Sequence, residues 1–176
     1  MSILKHLLFI FILMSAAEGF CQWIPTAPPT ETGDVYSIAK NENYWFAGTL
    51  HTGVYRRGIN DSDWVPKNRN LNDIGIEFMG ANDNYVFAVS NEYRIYRSSN
   101  DGDDWEQLNH YGHVTSFICY NDTVLVSASN GLRISYDSGD SWNLLSSSFG
   151  NCYNISRVNN KIYVPQNRNI YLSTNN

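Results

Sequence analysis

Three of the four histidines, His51, His110 and His113, fall in loop segments. Imidazoles ligate divalent transition metals. Here the spacing, His110-Tyr111-Gly112-His113 with a distant His51, is loose, and no carboxylate is fixed beside them. Solvated loop histidines are therefore expected, and no metal or cofactor is assigned. Glycoside hydrolysis asks for two opposed carboxyls. Asp73 and Glu77 are the only acids expected on adjacent segments near one loop end of the strands, and both are expected to be loop-solvating charges. Arg133 and Arg157 are expected on strand surfaces rather than as a substrate clamp. The acidic run Asp101–Asp104 does not fit a calcium loop, which needs Gly at its sixth position and Glu at its twelfth; counted from Asp101, those positions hold Glu106 and Gly112. No catalytic constellation stands out, so the chain is expected not to be an enzyme.

These residues must be held by something other than helices. The chain has 176 residues, of which 43% are apolar and 16% charged, with a net charge of −5. An acidic balance argues against a nucleic-acid partner, which needs clustered Lys and Arg. The 12 Tyr and 5 Trp suit half-buried strands, and 22 Asn suit turns. Residues 1–22 read as a secretory signal peptide: Lys5, the apolar run Leu7 to Met14, then Ser15, Ala16 and Ala17. At about eleven residues the run is too short for the roughly 20 that span a bilayer. Cleavage after Gly19 or Cys21 leaves a chain with no membrane span, expected to be secreted, periplasmic or on the cell surface. Sequons at Asn60, Asn121 and Asn154 are expected by chance in so Asn-rich a chain.

The rest of the chain repeats. Trp23, Trp64, Trp105 and Trp142 follow one another at intervals of 41, 41 and 37 residues. An apolar residue stands ten positions before three of them, in Gly53-Val54-Tyr55-Arg56, Arg94-Ile95-Tyr96-Arg97 and Gly131-Leu132-Arg133-Ile134. Asn169-Ile170-Tyr171-Leu172 continues the series. Between these landmarks the pattern is strand, Asn/Asp turn, strand: 34–40 and 44–50, 76–81 and 85–90, 114–120 and 123–129, 152–158 and 161–166. Each repeat of about 40 residues offers four short strands, which is the period of a propeller blade. The repeats run over about 34–68, 76–109, 114–147 and 152–176. Gln22-Trp23-Ile24-Pro25 resembles Asp63-Trp64-Val65-Pro66, so the Trp23 strand is expected to complete the last blade. Cys119 and Cys152 fall about five positions out of step on neighbouring first strands, roughly 16 Å along the strand direction. A disulfide needs Cα atoms within about 7 Å, so none is expected.

Ser135-Tyr136-Asp137-Ser138-Gly139-Asp140-Ser141-Trp142 fits Ser-x-Asp-x-Gly-x-Ser/Thr-Trp in full, and Ser98, Asn100, Gly102 and Trp105 repeat it with Asn for Asp. Here the sequence resembles the Asp-box, or BNR, repeat family of the sialidase-like superfamily. The resemblance spans residues 23–176 and implies an all-β fold. That fold is a β-propeller of four-stranded antiparallel blades, three whole and one shared or incomplete, or a truncated piece of a larger propeller. It implies a structural box, in which the Ser135 hydroxyl and Asp137 carboxylate accept bonds from turn N–H groups, Gly139 takes a positive φ and Trp142 packs in the blade. It also implies a ligand face on the loops joining blades and on the second-to-third-strand loops, where His51, Arg69, Tyr93, His110, Tyr111 and His113 are the candidates. The function implied is that of an exported, non-catalytic scaffold binding an unidentified protein or glycan. The alternative is a fragment of a carbohydrate-active enzyme of sialidase or xyloglucanase type, although Trp23-Ile24-Pro25 lacks the arginine that sialidases carry before Ile-Pro. A weaker alternative is an assembly factor like the thylakoid propellers of this family.

Overall fold

A computed structural model describes residues 26–29, 33–108 and 112–173. The expected signal peptide, the Trp23 strand, His110 and Tyr111 lie outside the described residues. The first blade holds β1 (Val35–Lys40), β2 (Tyr44–Thr49), β3 (Gly53–Gly58) and β4 (Val65–Pro66). The second holds β5 (Ile76–Ala81), β6 (Val86–Ser90), β7 (Ile95–Ser98) and β8 (Glu106–Gln107). The third holds β9 (Val114–Tyr120), β10 (Thr123–Ala128), β11 (Gly131–Ser135) and β12 (Asn143–Ser146). The fourth holds β13 (Ser156–Val158), β14 (Lys161–Gln166) and β15 (Asn169–Ser173). Every sheet is antiparallel with strands in chain order, so each blade is an up-and-down meander. Among the described residues no helix is long and apolar enough to cross a membrane.

Local sequence sets this pattern. Asn41 Oδ1 accepts from the N–H groups of Asn43 (3.0 Å) and Tyr44 (2.8 Å), and Asn82 repeats this with Asn84 (3.0 Å) and Tyr85 (2.7 Å). Such side-chain turns replace the missing ladder bonds and reverse the chain. The register breaks at an equivalent place in three blades, next to Val35, Ile76 and Val114, where an extra residue bulges from the inner strand, and in the third blade again at Leu132/Arg133. A bulge sharpens strand twist, and its recurrence makes the three blades superimposable by register. One expected strand is shorter than its sequence suggests. Residues 152–155 are not strand, because Asn151 (φ 55°) and Asn154 (φ 61°) are left-handed and break the run, so Cys152 precedes β13. A 3-10 turn, Ser147–Phe149, precedes it, capped by Ser146 Oγ accepting from Ser148 N–H (3.1 Å).

Apolar cores lie between blades. Phe46, Val54 and Leu71 of the first blade meet Ile76, Met79, Val86, Tyr96 and Trp105 of the second. Phe87, Val89, Ile95 and Leu108 meet Val114, Phe117, Val124 and Val126. Leu125, Leu132 and Ile134 meet Cys152, Ile155, Ile162 and Val164. The inner strands β1, β5 and β9 share a shallow hollow lined by Ile38, Met79, Gly80, Phe117 and Cys119. Cys119 and Cys152 are both free thiols.

The outer turns carry a second layer of bonding. Ser135 Oγ accepts from Gly139 N–H (2.7 Å) and donates to Asp137 Oδ1 (2.7 Å), while Asp137 accepts from Ser141 N–H (2.8 Å) and Ser141 Oγ–H (2.5 Å). In the second blade Ser98 Oγ accepts from Gly102 N–H (2.8 Å), and Asn100 Oδ1 accepts from Asp104 N–H (2.9 Å). Gly102 and Gly139 sit at φ 83° and 102°, angles that cost glycine least. An arginine of each preceding blade buckles onto these turns. Arg56 Nη1 donates to the Asp101 carbonyl (2.8 Å) and Arg97 Nη1 to the Ser138 carbonyl (2.9 Å). Their guanidinium groups lie over Tyr44 and Tyr85 at 4.5 and 4.6 Å from the ring centroids. Arg97 also pairs with Glu106 and Asp140, each at 2.8 Å.

The Ser141 hydroxyl, with the Ser141 N–H and Ser135, holds the Asp137 carboxyl down at about 2, against an ordinary 3.8. A depressed carboxyl stabilises the fold above its unfolded value and ceases to do so as pH falls through its folded value. The loss attributable to Asp137 therefore falls between pH 3.8 and about 2. Asn100 makes the matching bond with a neutral amide oxygen, so Asp137→Asn is expected to fold and to lose less stability across that window. Urea unfolding at pH 5 and pH 2.5 checks it; an unchanged acid loss in the variant would show that Asp137 is not the titrating group.

Candidate functional site

The blades have two ends. One carries the first turn of each blade and the outer Ser-x-Asp/Asn turns. The other carries the β2–β3 type turns and the segments joining blades, here termed the connection end. Its backbone is tied at equivalent points: Leu50 N–H donates to Asp34 O (3.0 Å), Asn91 N–H to Gly75 O (2.9 Å) and Ser129 N–H to His113 O (2.9 Å).

Asp73, on the segment from β4 to β5, departs from expectation. It is a buried carboxylate rather than a loop-solvating charge. It accepts from Ser90 Oγ (2.7 Å) and Tyr96 Oη (2.9 Å) and pairs with Arg94. A charge this enclosed must be paired and hydrogen-bonded to persist, and the three donors meet that need. Burial, followed by the bond to Asp73, pushes the Tyr96 phenol up to about 12. Glu77, the other candidate acid, is half-buried on β5.

Tyr93 and His113 come together, with ring centroids 4.1 Å apart at an interplanar angle of 42°. Tyr93 lies in the β6–β7 turn of the second blade and His113 leads into β9 of the third, so the pair bridges two blades at the connection end. Tyr93 has φ 65°, and its N–H donates to Ser90 O (2.9 Å). For a bulky aromatic residue the left-handed region costs on the order of 1 kcal/mol. His51 is exposed in the β2–β3 turn. Arg69 does not join these residues. Its Nε pairs with Asp104 Oδ1 at 3.0 Å, in the outer turn of the second blade, because residues 67–70 run along that blade: Trp105 N–H donates to Arg69 O (3.2 Å) and Trp105 Nε1–H to Lys67 O (2.8 Å). Arg157 lies on the fourth blade with its guanidinium 4.2 Å from the Tyr120 ring centroid.

Sequence reasoning named Tyr93, His113 and Asp73, but read Asp73 as solvated and missed Ser90, Arg94 and Tyr96, the residues that hold it. Among the described residues, no group of three His, Cys, Asp or Glu could hold a metal ion. Burial pushes the Cys119 thiol up to about 12 and raises that of Cys152, so neither is a ready nucleophile.

No protein-family model matches the chain, and no curated protein matches it. Solved structures do. The computationally designed Ika4 protein is 8% identical with a TM-score of 0.70, covering 86% of this chain and 98% of its own. YCF48 bound to D1 peptide is 15% identical with a TM-score of 0.64, covering 80% of this chain and 50% of its own. An ancestral GH74 enzyme is 19% identical with a TM-score of 0.66, covering 84% of this chain and 24% of its own. The chain thus spans about half or less of these two larger proteins. Likeness at this level of identity establishes the fold alone, and that fold is the β-propeller.

Proposed function

We propose that the chain is an exported, non-catalytic β-propeller of the Asp-box kind, and that its connection end binds an extended segment of a partner protein. The observation that carries this reading is Tyr93. A strained backbone angle holds its ring against His113, and a stable turn at that position would not select a tyrosine. Two packed aromatic rings suit a peptide backbone or an aromatic side chain. A similar propeller, YCF48, has been solved with a D1 peptide bound, which supports the choice of a protein over a glycan. The buried carboxylate at this end, Asp73, is held by three donors, which argues against its use as an acid or base.

Tyr93→Asn tests the reading, because asparagine tolerates the left-handed angle and lacks the ring. Peptides selected by the protein from a displayed random library are expected to bind the variant about tenfold more weakly, about 1.4 kcal/mol, while its melting temperature is unchanged or raised. Equal binding by both proteins would remove Tyr93 from the site. Release of reducing sugar from soluble xyloglucan or sialylated oligosaccharides would overturn the non-catalytic reading.

A further inference from the structure

Four blades are joined by three apolar cores. A closed ring has as many cores as blades, so among the described residues the blades form an open arc with two uncovered ends. Both ends expose positions that are buried wherever a neighbour exists. Val35 and Ile38 are 47% and 58% exposed, whereas Ile76 and Met79, and Val114 and Phe117, at the same register, are buried. Ile170 is 74% exposed, whereas its equivalents Val54, Ile95 and Leu132 are buried. The indole donors differ too: Trp105 Nε1–H reaches the Lys67 carbonyl of the preceding blade and Trp142 Nε1–H the Gly139 carbonyl of its own turn, while Trp64 Nε1 is buried with no acceptor.

The trailing end has a vacancy of defined shape. Among the described residues β15 is an edge, and beside it lies a groove of about 760 Å³. Its lining includes Leu125, Leu132 and Ile162, which hold the registers of Phe46, Val54 and Val86. Those three residues share the first core with Trp105. The groove is therefore the seat of an outer-strand indole.

The sequence pattern expected of such a strand stands at Gln22-Trp23-Ile24-Pro25. Trp23 stands twelve residues before Val35, as Trp64 stands twelve before Ile76. An outer strand at Trp23 would thus pass the chain to β1 as the inner strand of the next blade. Because Val35 and Ile38 are uncovered, the blade next to β1 is not the fourth blade of the same chain. We propose that the occupant is a second copy. Two chains join head to tail, the Trp23 segment of each adding to β15 of the other with its indole in the groove. The trailing face of each fourth blade then covers Val35 and Ile38 of the other chain. Two arcs of four give eight blades, the upper end of the common propeller range of about four to eight, and reciprocal exchange closes both edges.

Sedimentation of the secreted chain at micromolar concentration is expected to give twice the monomer mass. Trp23→Ala and the surface variant Ile38→Asp are each expected to halve it, with unchanged far-UV circular dichroism. Ile38→Asp mixed with Ile170→Asp keeps one intact leading face and one intact trailing face, so the mixture is expected to recover a one-to-one dimer that neither variant forms alone. A monomeric wild-type chain would overturn the proposal, whether its groove is filled by its own Trp23 or by further residues of a longer chain. So would a dimer that tolerates all three substitutions.

Discussion

Asp73→Ala is expected to destabilise the protein by about 3 kcal/mol, the low end of the cost of breaking a buried ion pair. Asp73 is 8% exposed and satisfies Ser90, Tyr96 and Arg94 together. Removing it strands the Tyr96 hydroxyl, which is 0% exposed and cannot turn to water. The Arg94 side chain is 40% exposed and can rehydrate, which sets the cost near the low end. Tyr96→Phe removes one donor and leaves the carboxylate two, so about 1–2 kcal/mol is expected. The two substitutions share one bond, and the double variant should cost less than their sum. The phenol gives a second readout. Its value, raised from 10.0 to about 12, means that the fold gains from neutral Tyr96 below pH 10 and loses that gain as pH rises towards 12. Tyr96→Phe should flatten this alkaline limb. Urea unfolding measures all of these, and a cost below about 1 kcal/mol for Asp73→Ala, as at ordinary surface sites, would show that the cluster is solvated after all.

Blade architecture was legible because its signals are local. β5, β9 and β14 have the bounds read from sequence, since each ends at an Asn or Asp turn that no strand residue competes with. The strand expected over 152–158 failed for the same kind of reason: Asn154 was read as a strand residue and is a left-handed break. The polar cluster was not legible. Asp73 meets Ser90, Arg94 and Tyr96 across 17, 21 and 23 residues, separations with no period to betray them. Arg69 was misplaced because a loop that joins blades need not stay at one end of them, and this one runs beside Trp105 first. The arginine buckles could have been found. Aligning the repeats puts Arg56 with Arg97 and Tyr44 with Tyr85, and a cross-strand pair of cation and ring recurring in two blades is a packing signal.

The tryptophans that mark the repeat are not energetically equal, and their ranking tests where the stability resides. Trp105→Ala is expected to cost about 3–5 kcal/mol, as large-to-small aromatic deletions in cores do. Its ring is 4% exposed between two blades, and its Nε1–H satisfies the Lys67 carbonyl, which would be left with one partner fewer. Trp64→Ala, measured on protein dilute enough to be monomeric, is expected to cost only about 1–2 kcal/mol. Trp64 holds the same position in its blade but is half-buried, touches Arg57 at 4.9 Å from its ring centroid and donates no hydrogen bond. Sequence position alone predicts equal losses. Burial between blades predicts a gap of at least about 1 kcal/mol, a difference that denaturant titration resolves. Equal losses would mean that each indole acts within its own blade. The inter-blade cores would then not be what holds the arc together.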